Sequence, residues 1–278
     1  MTLPEPISSS LASIGAIVAV MAAVALLETA IPLRARGRWN TAHLGPNLAL
    51  TFLTFATNAF FNTALVTGLA RLQAEGFGLL HRVALPGWAS CVIVLLVLDF
   101  SYYVAHVAMH KVALFWRFHR VHHSDPTVDV TTTIRQHPGE GILRYAFLAA
   151  FAIPLGASPA AFAVYRVASA LSGLLEHGNL RVPPWLDAPL SLVFTWPSLH
   201  KVHHSRTARF TDTNYGNIVS WWDRLGSTFT PARHGRDVVY GLDGFDDPAQ
   251  QTTAGLLGMP FSDARVSTLV QSARWPRR

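Results

Sequence analysis

Four apolar stretches organise the chain. The first runs from Leu11 to Leu27, interrupted only by Ser13 and Gly15, and closes at Glu28. The second covers Leu48–Leu69, with Asn58 and Asn62, one helical turn apart, as its most polar positions. The third runs from Trp88 to Val104. Each is near the roughly 20 apolar residues a helix needs to cross a bilayer. The fourth, Ile142–Leu175, is broken at Pro154, Gly156 and Pro159. Proline and glycine at that spacing end one helix and start another, which predicts a helical hairpin that dips into the membrane and returns. From Thr230 onward the chain is polar and punctuated by glycine and proline, which predicts a peripheral tail. No basic region precedes the first apolar run, so a retained anchor over Leu11–Leu33 is expected rather than a cleaved signal peptide.

Composition agrees with lipid as the environment. Half of the 278 residues are hydrophobic, 14% are charged and the mean hydropathy is +0.29, against about a quarter charged in a typical soluble domain. A net charge of +6 and a pI near 10.0 suit an anionic membrane surface or a nucleic acid. No nucleic-acid motif is present, and the arginines flank apolar runs, so the membrane is the expected partner. Positive loops stay in the cytoplasm. Placing Arg34, Arg36 and Arg38 there puts the N-terminus outside. The third span then delivers His106 to the cytoplasmic face, and the hairpin returns the later chain to that face. The outer loop with Arg71, His81 and Arg82 runs against this charge rule.

The chemistry lies in the histidines. His106 and His110 continue the third span, His119, His122 and His123 follow as HRVHH, and His200, His203 and His204 form HKVHH. Residues three and four apart share a helix face, so each cluster is expected to aim its imidazoles in one direction. Eight such groups exceed the three or four ligands of one zinc and suit two metals. His137 and His177 stand at suggestive places, beside the second cluster and at the hairpin's return. His43, His81 and His234 are isolated and read as surface or interface residues. The single cysteine, Cys91, excludes an iron–sulfur cluster held by this chain alone.

HxxxH followed by two HxxHH motifs resembles the fatty acid hydroxylase/sterol desaturase superfamily of integral membrane di-iron oxygenases. The resemblance extends to Asp99, Tyr102 and Tyr103 before the first motif and to His137-Pro138-Gly139-Glu140 after the second. It continues in His177-Gly178-Asn179, Asn214-Tyr215-Gly216 and Trp222-Asp223-Arg224. It covers Asp99–Phe229, while the N-terminal third matches only as generic spans.

The resemblance implies an all-α fold, an integral membrane helical bundle with a cytoplasmic, histidine-rich di-metal cap. Residues 1–98 would be the N-terminal transmembrane helices, 99–229 the catalytic domain with its hairpin, and 230–278 the tail. It implies two iron ions, with zinc able to take the same nitrogen sites in purified protein, and O2 as co-substrate. The ligands would be His106, His110, His119, His122, His123, His177, His200, His203 and His204, with His137 a ligand or a close neighbour of one. Asp99, two turns before His106, is expected to orient a ligand imidazole through its second N–H, and Asp223 to do the same or to pair with Arg224 or Arg206.

The implied reaction is hydroxylation or desaturation of a lipid C–H bond, on a sterol or fatty acyl chain. An unactivated C–H bond offers nothing to an acid, base or nucleophile, and zinc has no redox chemistry, so iron is the expected metal. No GxGxxG followed by an acidic residue marks a nicotinamide or flavin site. Electrons are therefore expected from a separate ferredoxin or cytochrome b5-like partner with its reductase, docking on Lys111, Arg117, Arg120, Lys201, Arg206 and Arg209. His137–Glu140 bears a partial likeness to the haem-binding HPGG of cytochrome b5.

Three other readings stand beside this one. Membrane acyl-lipid desaturases carry similar motifs, but their second and third lie farther apart than the 77 residues from His123 to His200. A zinc-dependent hydrolase needs a glutamate beside a histidine as general base, and only Glu140 and Glu176 offer one. A metal carrier needs ionisable groups along its spans, which are nearly absent.

Overall fold

The computed structural model describes residues 5–35, 39–235 and 237–262. The apolar runs are helices: α1 (Glu5–Ala30), α2 (Trp39–Ala74) and α3 (Gly87–Lys111). Then come α4 (Ala113–His123), the hairpin α5 (Pro138–Leu155) and α6 (Pro159–His177), α7 (Pro184–Val193) and α8 (Pro197–His203). Three short helices complete the order, α9 (Ala208–Thr211), α10 (Trp221–Leu225) and α11 (Thr253–Gly258). Among the described residues β structure is limited to two isolated bridges, Pro32–Leu180 and Phe194–Val219. The region over α2 and the α3 helix are long and apolar enough to cross a membrane.

The bundle core gathers Leu65 and Leu69 of α2, Val94 and Leu98 of α3, Tyr145, Leu148 and Ala152 of α5, and Phe162 and Tyr165 of α6. The opposite face of α2 exposes Phe52, Leu53, Phe55 and Phe60. The hairpin turns at Gly156, which is left-handed (φ 72°) and caps α5 through its N–H to Ala152 O and Ile153 O. Gly78 (φ 110°) packs so closely on Gly156 that a methyl group on it would overlap the Gly156 backbone. That contact ties the α2–α3 connection to the hairpin tip.

The apolar run of α3 continues without a break through both histidines of the first motif. At 1.5 Å per residue, the 18 residues from the exposed Trp88 to His106 span about 27 Å. Packed over this end are α4, α8 and the loops after them. The α1 end is pinned there too: the buried Glu28 carboxylate accepts from Val130 N and Asn179 N, each at 2.8 Å. Residues 230–262, expected as a peripheral tail, supply part of a core. Leu242, Phe245, Leu256 and Met259 pack with Leu50, Trp116 and Val121 into a second core under α4, because apolar positions spaced through a polar segment still supply a buried face. Residues 263–278 lie outside the described residues.

Candidate metal centre

Among the described residues nine histidines form two adjoining groups. His106, His110, His119, His123 and His203 make one, and His122, His177, His200 and His204 the other. Within each group one nitrogen per ring lies within 4.8 Å of every other. In the first, His119 Nε2 is 3.0 Å from His106 Nε2 and 3.2 Å from His123 Nε2. In the second, His177 Nε2 is 3.1 Å from His122, 2.9 Å from His200 and 3.1 Å from His204, all to Nε2. Metal–imidazole bonds of about 2.1 Å place neighbouring ligand nitrogens about 3.0 Å apart in an octahedral arrangement, so the donor sets fit a metal in each group. His110 Nε2 and His203 Nε2 are buried without a hydrogen-bond partner, which a metal would resolve.

The motifs do not map one to one onto the groups. In HRVHH, His119 and His123 serve the five-histidine group and His122 the other. In HKVHH, His200 and His204 serve the four-histidine group and His203 crosses to the first. The expectation that each cluster aims one way is therefore corrected. Positions i+3 and i+4 differ by about 100° around a helix, and α4 and α8 lie so that this angle divides each motif between two centres. The groups touch where His123 and His204 stack, with ring centroids 4.6 Å apart.

Groups on the far side fix the tautomers. His106 Nδ1 donates to Tyr215 O (2.8 Å), His203 Nδ1 to Thr213 O (2.8 Å) and His177 Nδ1 to Gly173 O (2.7 Å). A carbonyl only accepts, so each of these rings carries its proton on Nδ1 and turns the Nε2 lone pair inward. Two carboxylates stand behind other rings: Asp212 Oδ1 is 3.3 Å from His110 Nδ1 and Glu140 Oε2 is 3.2 Å from His119 Nδ1. Arg144 in turn holds Glu140 (Nε to Oε1 2.8 Å). Sequence reasoning missed the Asp212 role and gave Glu140 no place behind a ligand ring. Asp212 is 102 positions from His110 in the chain, so helical spacing carries no sign of it.

The two aspartates expected behind ligand rings act otherwise. Asp99 accepts from Ile218 N (3.0 Å), Val219 N (3.1 Å) and Trp222 Nε1 (2.9 Å), fastening the 218–222 loop to α3 rather than an imidazole. Asp223 accepts from Tyr215 N (2.7 Å), Gly216 N (2.8 Å) and Thr228 Oγ1 (2.7 Å). It reaches a ligand ring only through the Tyr215 carbonyl on His106. Burial pushes Asp223 up to about 6 against these hydrogen bonds.

His137 joins neither group. Its Nδ1 accepts from Gly139 N (3.0 Å), its Nε2 faces Leu257 O (3.3 Å), and it caps the start of α5. A ring whose two nitrogens serve a helix cap and the 253–258 segment has no donor left for a metal.

His43, expected at a surface or an interface, is buried. Its Nδ1 lies 3.1 Å from Asp125 Oδ1 and its Nε2 3.3 Å from Asp129 Oδ2. Burial raises Asp125, but Arg135 and His43 outweigh it and hold this carboxyl well below the usual range. Arg135 clamps the end of α4, donating to Val121 O (2.9 Å), Ser124 Oγ (2.8 Å) and Asn47 Oδ1 (3.0 Å). Two cations assigned to a docking surface are buried as well. Arg120 donates to Met259 O, and Lys201 donates to His177 O and is pushed down to about 7 by burial, opposed by Glu28 and Asp129.

Burial also holds His119, His123, His200, His203 and His204 well below the ordinary histidine value and His122 down to about 3, with neighbouring cationic groups adding to the effect. Neutral imidazole is the ligating form.

Residues 91–228, from α3 to the end of this cap, match the family model for fatty acid hydroxylase. The chain belongs to the fatty acid hydroxylase superfamily. It is 37% identical over 148 residues to the alkylglycerol monooxygenase of Caenorhabditis elegans, covering 52% of this chain and 28% of that protein. It is 35% identical over 138 residues to the ornithine lipid hydroxylase OlsE of Rhizobium tropici, covering 50% and 41%. A very-long-chain aldehyde decarbonylase from Oryza sativa subsp. indica is 31% identical over 141 residues, covering 47% and 22%. The chain thus spans less than half the length of each of these relatives. No solved structure matches it. Both buried histidine groups, which are able to hold metal, lie within the matched region.

Proposed function

We propose that the chain is a multi-pass membrane enzyme that uses two irons, O2 and external electrons to hydroxylate or desaturate a C–H bond of a lipid. The observation that carries this reading is the pair of imidazole groups, five and four, each converging on one point. An all-nitrogen, thiolate-free donor set suits a redox-active first-row metal. Iron, when bound, supplies the O2 chemistry that an alkyl C–H bond requires. The chain's own residues then have three tasks. Tyr215, Thr213 and Gly173 carbonyls aim ligand rings, Glu140 and Asp212 stand behind two more, and the burial of all nine histidines keeps bulk water out.

The depth of the centre narrows the substrate. His106 lies about 27 Å along α3 from Trp88, so a hydrocarbon layer about 30 Å thick that begins at Trp88 would end just past it. A lipid standing in that leaflet brings a carbon near its head group, rather than its chain end, to this level. The alkylglycerol monooxygenase and ornithine lipid hydroxylase relatives are named for lipids with a polar end, which supports the same class here. We place the centre on the cytoplasmic face, with a ferredoxin or cytochrome b5-like donor meeting Lys111, Arg206 and Arg209.

The test is expression in membranes under 18O2, followed by lipid mass spectrometry. A lipid gaining 18O or losing two hydrogens with the wild-type chain, and not with His203→Ala, is the expected result. An unchanged lipid profile with an iron-loaded enzyme and an active donor would overturn it.

A further inference from the structure

The two histidine groups differ in their supply of negative charge. Nine neutral imidazoles bring none, whereas two divalent metals would put four positive charges into a buried site. The five-histidine group has Asp212 and Glu140 behind His110 and His119. The four-histidine group has neither. It has Glu176 instead, and on a different side. Glu176 Oε1 lies 3.8 Å from His200 Nε2, the inward nitrogen of that ring, and 3.8 Å from His177 Nδ1. Glu176 is fully buried, and neither of its oxygens has a hydrogen-bond partner. A buried carboxylate without a partner costs several kcal/mol unless something pairs with it. The cations whose fields reach it, Arg144 and Lys201, are already bonded elsewhere: Arg144 holds Glu140 and Lys201 holds His177 O.

Resting on the two-metal reading above, we propose that Glu176 is the fifth protein ligand of the four-histidine metal. The two centres then have five donors each, one all-imidazole and one with four imidazoles and a carboxylate. Closing the His200–Glu176 edge to the roughly 3.0 Å of neighbouring ligands takes a carboxylate movement of about 1 Å. The adjacent His177 is itself a member of that group, so one turn of α6 supplies both donors. A carboxylate on one iron lowers its potential relative to the all-nitrogen partner and makes the two sites spectroscopically distinct.

The test uses full-length protein in detergent, reconstituted anaerobically with 57Fe2+ and compared with Glu176→Gln, Glu176→Asp and Glu176→Ala. Wild type is expected to show two unequal Mössbauer doublets. In Glu176→Gln one doublet shifts, and one iron leaves to a chelator about tenfold to a hundredfold faster, the range for losing support of a metal ligand. Glu176→Asp recovers part of the retention and Glu176→Ala none. Thermal melting of the metal-free proteins separates ligation from packing. Ligation predicts that Glu176→Gln is as stable as wild type or more so without metal, and that the deficit emerges only with iron. Identical doublets and identical iron loss in wild type and Glu176→Gln would overturn the Glu176 assignment and leave the two-iron reading intact. Wild type that holds no iron would overturn both.

Discussion

His122 and His123 are neighbours in one motif but face different groups, whereas His122 and His204 come from different motifs and share one. Removing both neighbours is therefore a two-centre lesion, and removing His122 with His204 a one-centre lesion. The magnitude follows from the donor count. A structural zinc site binds its metal with an apparent free energy of about 10–16 kcal/mol, and the same range shared among five donors in each centre gives about 2–3 kcal/mol for each imidazole. That is about thirtyfold to two-hundredfold in affinity. The assay is iron per chain after dialysis against a graded chelator, for His122→Ala, His123→Ala and the two double variants. His122→Ala/His123→Ala should lose both irons, and His122→Ala/His204→Ala one, the second removal adding little because the metal is already gone. The reverse pattern, with the neighbours costing one iron and the cross-motif pair two, would refute the crossed arrangement and assign each motif its own metal.

Glu140→Gln and Asp212→Asn, which weaken the groups behind His119 and His110, should each lower iron affinity about tenfold to a hundredfold; equal affinity by chelator competition would count against those contacts. Asp99→Ala strands three donors, one on the buried Val219 and two on the half-buried Ile218 and Trp222. At about 1–3 kcal/mol each, it should cost about 3 kcal/mol or more by denaturant titration, and Asp99→Asn should keep wild-type iron affinity once folded. For metal-free protein, burial and then neighbouring charge hold the imidazoles of α4 and α8 below the ordinary value of 6.5. Below pH 6.5 the unfolded chain takes up protons that the fold refuses. Stability should fall as pH drops below about 6.5, by up to about 1.4 kcal/mol per pH unit for each such ring. A melting temperature unchanged between pH 7.5 and 5.5 would contradict that burial.

Much of this arrangement is visible in one dimension. The apolar run of α3 continues into His106 and His110 without a break, and Pro154, Gly156 and Pro159 mark the hairpin turn. What local pattern fails to convey depends on how helices dock. A helical wheel places His122 and His123 on one broad face, and only the crossing of α4 with α6 and α8 decides which metal each meets. Asp212 and the Tyr215 carbonyl reach His110 and His106 from more than a hundred residues away. His43 reads as isolated because its partners Asp125 and Asp129 are about 80 positions distant. Asp99 has the right period to stand behind His106, yet three donors on another segment claim it. His137 sits in a motif that suggests ligation, but the same atoms are those that cap a helix opening with proline.

Iron content of protein prepared anaerobically with iron supplied, measured beside His203→Ala, bears most directly on the central claim of two histidine-held irons. About two irons per wild-type chain, falling toward one in the variant as the five-histidine group loses a donor, is the predicted result. One zinc per chain with no iron under those conditions, or no metal in either protein, would contradict it.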